Sequence, residues 1–128
     1  MRFAHSKRAI ELVGDIQNPR LITSNTKINH TESIQNWIER RLKQLEKEKL
    51  CGFIFKSKSP SCGIGNIDVF DEQGKLAGKT SGIFAKAFMK KFTQIPIEDE
   101  VRLNNKELRE KFIENIFIHQ RLIRKNQT

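Results

Sequence analysis

Leu50–Gly63 reads LCGFIFKSKSPSCG, and its first six residues, Leu50 to Phe55, form a short continuous apolar run. A strand that is apolar on both faces belongs in the middle of a sheet covered by helices. The run is entered directly from a helix. Upstream, Ile34, Trp37, Ile38, Leu42 and Leu45 recur at spacings of three and four and form one apolar stripe, with Arg40, Arg41, Lys43 and Glu46 turned to water. Asn29 with Glu32 three residues later, or Thr31 alone, can cap its start. Helix followed by buried strand predicts an α/β domain.

Outward from this segment the pattern stays mixed. IELV and RLI, between Ile10 and Ile22, flank the turn-rich GDIQNP and predict an antiparallel hairpin. Downstream, KSKSPSCGIGN is a polar loop, and IDVF alternates as a further strand closed by the turn DEQGK. Ser81 can cap a second helix whose Phe84, Ala87, Phe88 and Phe92 share a face. IPIEDEVRL is extended around Pro96. A third helix starts near Asn104 or Asn105 and runs to about Lys125, with Leu108, Phe112, Ile116 and Phe117 inward. The expected fold class is α/β, three helices against a small mixed sheet.

A chain of 128 residues, 37% hydrophobic and 30% charged, is long enough for one core and too short for two, so residues 1–128 are expected to be a single domain. The net charge of +9 attracts anions without naming one. No apolar stretch approaches the roughly 20 residues of a spanning helix, so no membrane partner is expected. The opening MRFAHSKRAIELVG has neither an apolar core of signal-peptide length nor a small-residue cleavage site, and the expected location is cytoplasmic. Two cysteines, Cys51 and Cys62, are too few for a disulfide scaffold.

Ligands of open α/β sheets sit beyond the carboxyl ends of the strands, which directs attention to the loop after Phe55. It places a thiol, Cys62, beside the hydroxyls of Ser59 and Ser61, on a segment stiffened by Pro60 and freed at Gly63, with positive charge from Lys56 and Lys58. A thiolate there is a nucleophile or a soft-metal ligand. Cys51, amid Leu50 and Phe53, is read as a small buried hydrophobe. His5, His30 and His119 are not spaced with one another or with a cysteine as zinc sites require, and are read as surface or capping residues. Glu98, Asp99 and Glu100 read as a solvated charged run. GIGN lacks the glycines of a dinucleotide fingerprint, and no Walker pattern occurs.

Three stretches in order, CGFIFKSKSPSCG from Cys51, GIFAKAFMKKF from Gly82 and IPIEDEVRLNNKELREKFIENIF from Ile95, closely resemble the bacterial 2-thiouracil desulfurase family. The resemblance runs from about Ile10 to Arg121. It implies a three-layer, Rossmann-like α/β fold and an enzyme that removes sulfur from a thiolated nucleobase such as 2-thiouracil, using a [4Fe-4S] cluster held by three cysteines with one iron left open. An open iron is a Lewis acid for a soft thiocarbonyl sulfur. By resemblance Cys62 is the last of the three ligands, Ser59 and Ser61 are catalytic candidates that hydrogen-bond substrate or cluster sulfurs, and Lys56, Lys58 and Gly63 belong to the cofactor-binding loop.

The other two ligands of that family come from a Cys-Leu-Leu-Gly strand-loop and a Cys-Pro-Glu motif, and this sequence contains neither. Cys51 does not replace them, since it precedes the strand that Cys62 follows. The chain therefore resembles the carboxyl-terminal two-thirds of the domain, lacking its amino-terminal strands. Two alternatives stay open: the missing motifs are supplied by a complementing amino-terminal polypeptide or lost to a displaced start codon, or the chain is a degenerate relative without a cluster, inactive alone. The strand edge left bare predicts a homodimer or that complementing polypeptide as partner. The reading from a different class is a non-catalytic binding module for nucleic acid or protein. Nucleic acid is the less expected partner, because the basic residues are spread over all three helices without interleaved aromatics and tyrosine is absent.

Overall fold

The computed structural model describes residues 10–126, and the expectation for His5 lies outside them. The hairpin is present: β1 (Ile10–Val13) and β2 (Arg20–Thr23) run antiparallel, Ile10 opposite Thr23 and Val13 opposite Arg20. β1 also pairs in parallel with β4 (Ile67–Phe70), Leu12 opposite Val69, and β4 pairs antiparallel with β5 (Leu76–Thr80). The resulting sheet has the order β2-β1-β4-β5. β5 reads LAGKT and carries little strand preference of its own. It is set by the turn before it, where the Asp71 carboxylate accepts N–H bonds from Gln73 and Lys75, each 2.9 Å.

The run that suggested the fold becomes β3 (Phe53–Phe55), and it pairs in parallel with β6 (Ile97–Asp99), Phe53 opposite Ile97 and Phe55 opposite Asp99. These two strands form a second sheet. The expectation of a mid-sheet strand is corrected here: β3 has one neighbour among the described residues, and Ile54 is 53% exposed while Phe55 is buried.

Three helices complete the α/β fold: α1 (Thr31–Lys47), α2 (Ile83–Lys91) and α3 (Lys106–Asn126). No described helix is long and apolar enough to cross a membrane. At the start of α1 the Asn29 carboxamide oxygen accepts the Thr31 N–H at 2.9 Å, and the Thr31 hydroxyl accepts the Leu21 N–H at 2.9 Å, tying the helix to β2. At the start of α3 the Asn105 side chain accepts the Leu108 N–H at 3.1 Å, the capping position its sequence suggests.

Two apolar clusters hold these elements. One joins Ile38, Leu42 and Leu45 of α1 to Phe55 and to Phe84, Ala85 and Phe88 of α2; the other joins Leu12, Leu21, Ile67 and Val69 of the larger sheet. Ile34 of α1 and Ile83 of α2 pack against both. Phe88 is the hub of the first: its ring lies 4.4 Å from Phe53, 5.3 Å from Phe55 and 4.7 Å from Phe92. On the opposite side, Ile116 and Phe112 of α3 crowd the space above Gly52 at the entry to β3, while Ile54 stays exposed. Two expected core positions are corrected. Trp37 is 46% exposed, its ring 5.9 Å from Phe84 at the rim of the cluster, and Phe117 points outward while Phe112 is buried.

Phe88→Ala is expected to lower the unfolding free energy by about 3–5 kcal/mol, because it empties the centre of a closed aromatic cluster. Trp37→Ala, at the rim, should cost about 1 kcal/mol. Urea titration of the two variants, with midpoints compared at equal slope, checks the ranking.

Candidate functional site

Because β3 and β6 are parallel, both chains leave the small sheet at the same edge. There the loop from Lys56 to Asn66 folds over the beginning of α2. The first N–H groups of a helix have no partner within it, and this loop supplies them: the Gly82 N–H donates to the Gly63 carbonyl at 2.7 Å, the Ile83 N–H to Pro60 at 3.3 Å and the Ala85 N–H to Ser61 at 3.0 Å. Ser81, expected as the side-chain cap, instead accepts the Gly65 N–H at 2.9 Å and fastens the far end of the loop. Gly82 is the residue before the helix, with no side-chain cap. A Cβ on it would lie 2.3 Å from the Ser61 carbonyl carbon and 2.6 Å from the Cys62 nitrogen, so only glycine permits the approach.

Within the loop the three residues singled out by sequence do come together. The Ser59 hydroxyl accepts the N–H groups of Ser61 and Cys62 at 3.3 Å each and lies 3.1 Å from the Ser61 hydroxyl, which in turn lies 3.4 Å from the Cys62 sulfur. Cys62 is half-buried and packs against the aromatic cluster. Its thiol is therefore held at the boundary between core and solvent, at the end of a short hydroxyl chain. Gly63 is buried, and a Cβ there would strike the Ile67 side chain at 2.2 Å, so its contribution is close packing. Lys56 and Lys58 are exposed, and Lys58 holds a left-handed backbone with φ of 62°.

The acidic run is not solvated as a block. Glu98 and Asp99 are buried on β6: the Glu98 carboxylate accepts Arg102 Nε at 2.7 Å and Nη2 at 3.2 Å, and Asp99 accepts the Arg102 N–H at 2.7 Å. The Arg102 guanidinium is held further into its charged range by the hydrogen bond and charge of Glu98. These contacts turn the chain through a single 3-10 turn, Arg102–Asn104, into α3. Glu100 grips the base of the Cys62 loop: one carboxylate oxygen accepts the Ser57 N–H and the other the Ser57 hydroxyl, both at 2.7 Å. Those two bonds hold its carboxyl below the ordinary range, with Lys56 adding to the effect and partial burial opposing it. Glu100 is the residue that sequence reading misses. Its signal is the parallel register, which brings position 100 beside position 57 and which no local pattern discloses.

Among the described residues no three His, Cys, Asp or Glu side chains come within reach of one metal ion. Cys51 stands at the opposite end of β3 from Cys62, its sulfur 4.0 Å from the Lys49 carbonyl and half-buried, not the fully buried position expected of it. His30 bonds to the Thr23 hydroxyl. His119 lines a cavity of about 310 Å³ with Leu45, Leu50, Phe92, Ile95 and Ile123, which shares no residue with the Cys62 loop. The described residues thus offer one loop cysteine and do not by themselves fit a cluster that needs three.

Comparison with known proteins gives one result: the profile of the family described as 2-thiouracil desulfurase matches residues 2–100. The matched span contains the loop, α2 and Glu100, and excludes α3. No curated protein and no solved structure matches the chain.

Gly82→Ala should displace the loop and destabilise the fold by about 1–3 kcal/mol, since backbone atoms occupy the space its methyl needs; thermal unfolding and the Cys62 amide resonance report both effects. Glu100 is more acidic folded than unfolded, so its contribution is full above its ordinary value of 4.5 and is lost as pH falls through the folded value. Between about pH 5 and about pH 3 the urea midpoint of Glu100→Gln should therefore fall less steeply than that of the parent chain.

Proposed function

The chain belongs to the 2-thiouracil desulfurase family, and from that premise we propose that its Cys62 loop acts in the removal of sulfur from a thiolated nucleobase or a similar small thiocarbonyl compound. Overall, water supplies the oxygen that replaces sulfur on the carbon, and sulfur leaves as sulfide, with no net oxidation or reduction. What supports this is one observation beyond the family match: Ser59, Ser61 and Cys62 form a continuous polar chain, and the loop bearing it is clamped by α2 on one side and by Glu100 on the other. A clamped loop holds its groups in place before substrate arrives. In this reading the Ser59 and Ser61 hydroxyls donate to the thiocarbonyl compound, Cys62 meets its sulfur, and Lys56 and Lys58 offset the negative charge of departing sulfide.

An iron-sulfur cluster with an open iron would supply a Lewis acid for that sulfur. Cys62 is the one ligand that the described residues bring to such a cluster, so the remaining donors have to come from outside them.

Titrating the isotopically labelled chain with 2-thiouracil and with uracil tests the reading. The thio compound should shift the amide signals of Ser59 to Gly63, uracil should shift them far less, and Cys62→Ala should remove the difference. Equal shifts from both compounds, or shifts confined to another surface, would overturn it.

A further inference from the structure

The two strands of the small sheet have a second end, away from Cys62, and the cavity of about 310 Å³ lies there. Its apolar wall is assembled from every element that meets at that end. α1 contributes the buried Leu45, Leu50 leads into β3, Phe92 follows α2, Ile95 leads into β6 and α3 adds Ile123. A concavity of this volume falls at the small end of the range that ligand sites occupy, about 300–1,000 Å³. α3 lies beyond the span matched by the family profile, so the helix that completes this wall is not part of what the chain shares with that family.

Three polar side chains share the lining, Glu46, Lys49 and His119. The acid among them is already answered, because Lys91 Nζ lies 3.4 Å from the Glu46 carboxylate. The side chains of Lys49 and His119 have no hydrogen-bond or ion-pair partner among the described residues. An ammonium group only donates, and an imidazole donates through at least one ring N–H. The uncommitted groups beside this apolar wall are therefore donors, and one of them is a cation. A cationic ligand would be repelled by Lys49, and a neutral one would leave its charge unanswered. A carboxylate accepts from both groups, through bonds strengthened by charge, and the net charge of +9 favours its approach.

We propose that this cavity binds a small organic acid, its apolar body lying against Leu45, Phe92 and Ile95 and its carboxylate accepting from Lys49 and His119. The site shares no residue with the Cys62 loop, so it stands whether or not that loop acts on thiocarbonyl compounds.

Titrating the isotopically labelled whole chain with hydrocinnamate and with hydrocinnamyl alcohol, one apolar body carrying either a carboxylate or a hydroxyl, tests this. The acid should saturate with a dissociation constant below about 1 mM and move the amide signals of Leu50, Ile95, His119 and Ile123. The alcohol should bind about tenfold more weakly. Lys49 has a left-handed backbone with φ of 53°, which glycine adopts without strain, so Lys49→Gly removes the ammonium group and leaves the fold intact. That variant and His119→Leu should each bring the acid to within about threefold of the alcohol, with the alcohol's own affinity and the helix content by circular dichroism unchanged. No saturation below about 10 mM, equal affinity for acid and alcohol, shifts confined to other residues, or an acid affinity that neither variant lowers would each overturn the proposal.

Discussion

Everything around Cys62 depends on one exchange of hydrogen bonds: the opening N–H groups of α2 need carbonyls, and Pro60, Ser61 and Gly63 provide them. A helix end left bare in a partly buried place is costly, and so is a loop whose carbonyls find no donor. Each satisfies the other only because Gly82 lets two stretches of backbone touch. The loop is thereby as fixed as the helix, although it has no regular structure of its own. The helix is fixed in turn by Phe84 and Phe88, which lie in the aromatic cluster under the small sheet.

The second clamp works from the other strand. Ser57 leaves β3 and Glu100 leaves β6 at the same edge, and two hydrogen bonds to a single carboxylate join them. A carboxylate receiving two donors is geometrically demanding, so it fixes direction as well as distance. Behind it, the buried Glu98 carboxylate paired with the exposed Arg102 guanidinium turns the backbone toward α3. Three adjacent acids thus have three tasks: one aligns an arginine, one receives a turn amide, and one holds the loop.

Much of this was legible in the order of residues. The helical stripe of α1, the hairpin at Ile10, the Asn105 cap and the clustering of Ser59, Ser61 and Cys62 follow from spacing over a few positions. What escaped is non-local. Trp37 fits the stripe of α1 but falls at its rim, because Phe84 reaches only one side of the ring. LCGFIF has the composition of an interior strand, yet its number of neighbours is decided by the whole chain. Glu100 meets Ser57 across 43 positions, a separation at which local periodicity carries no information. LAGKT has almost no strand preference and is recruited by the Asp71 turn and the partner strand β4.

Ile34 and Ile83 contribute to both apolar clusters, one from each of the two helices that separate the sheets in sequence. Two sheets that shared no side chain could melt independently, with an intermediate in which one survives. Shared isoleucines couple their fates, because loosening either cluster removes packing from its neighbour. Through these two side chains the packing beneath the Cys62 loop is joined to the packing of the distant hairpin.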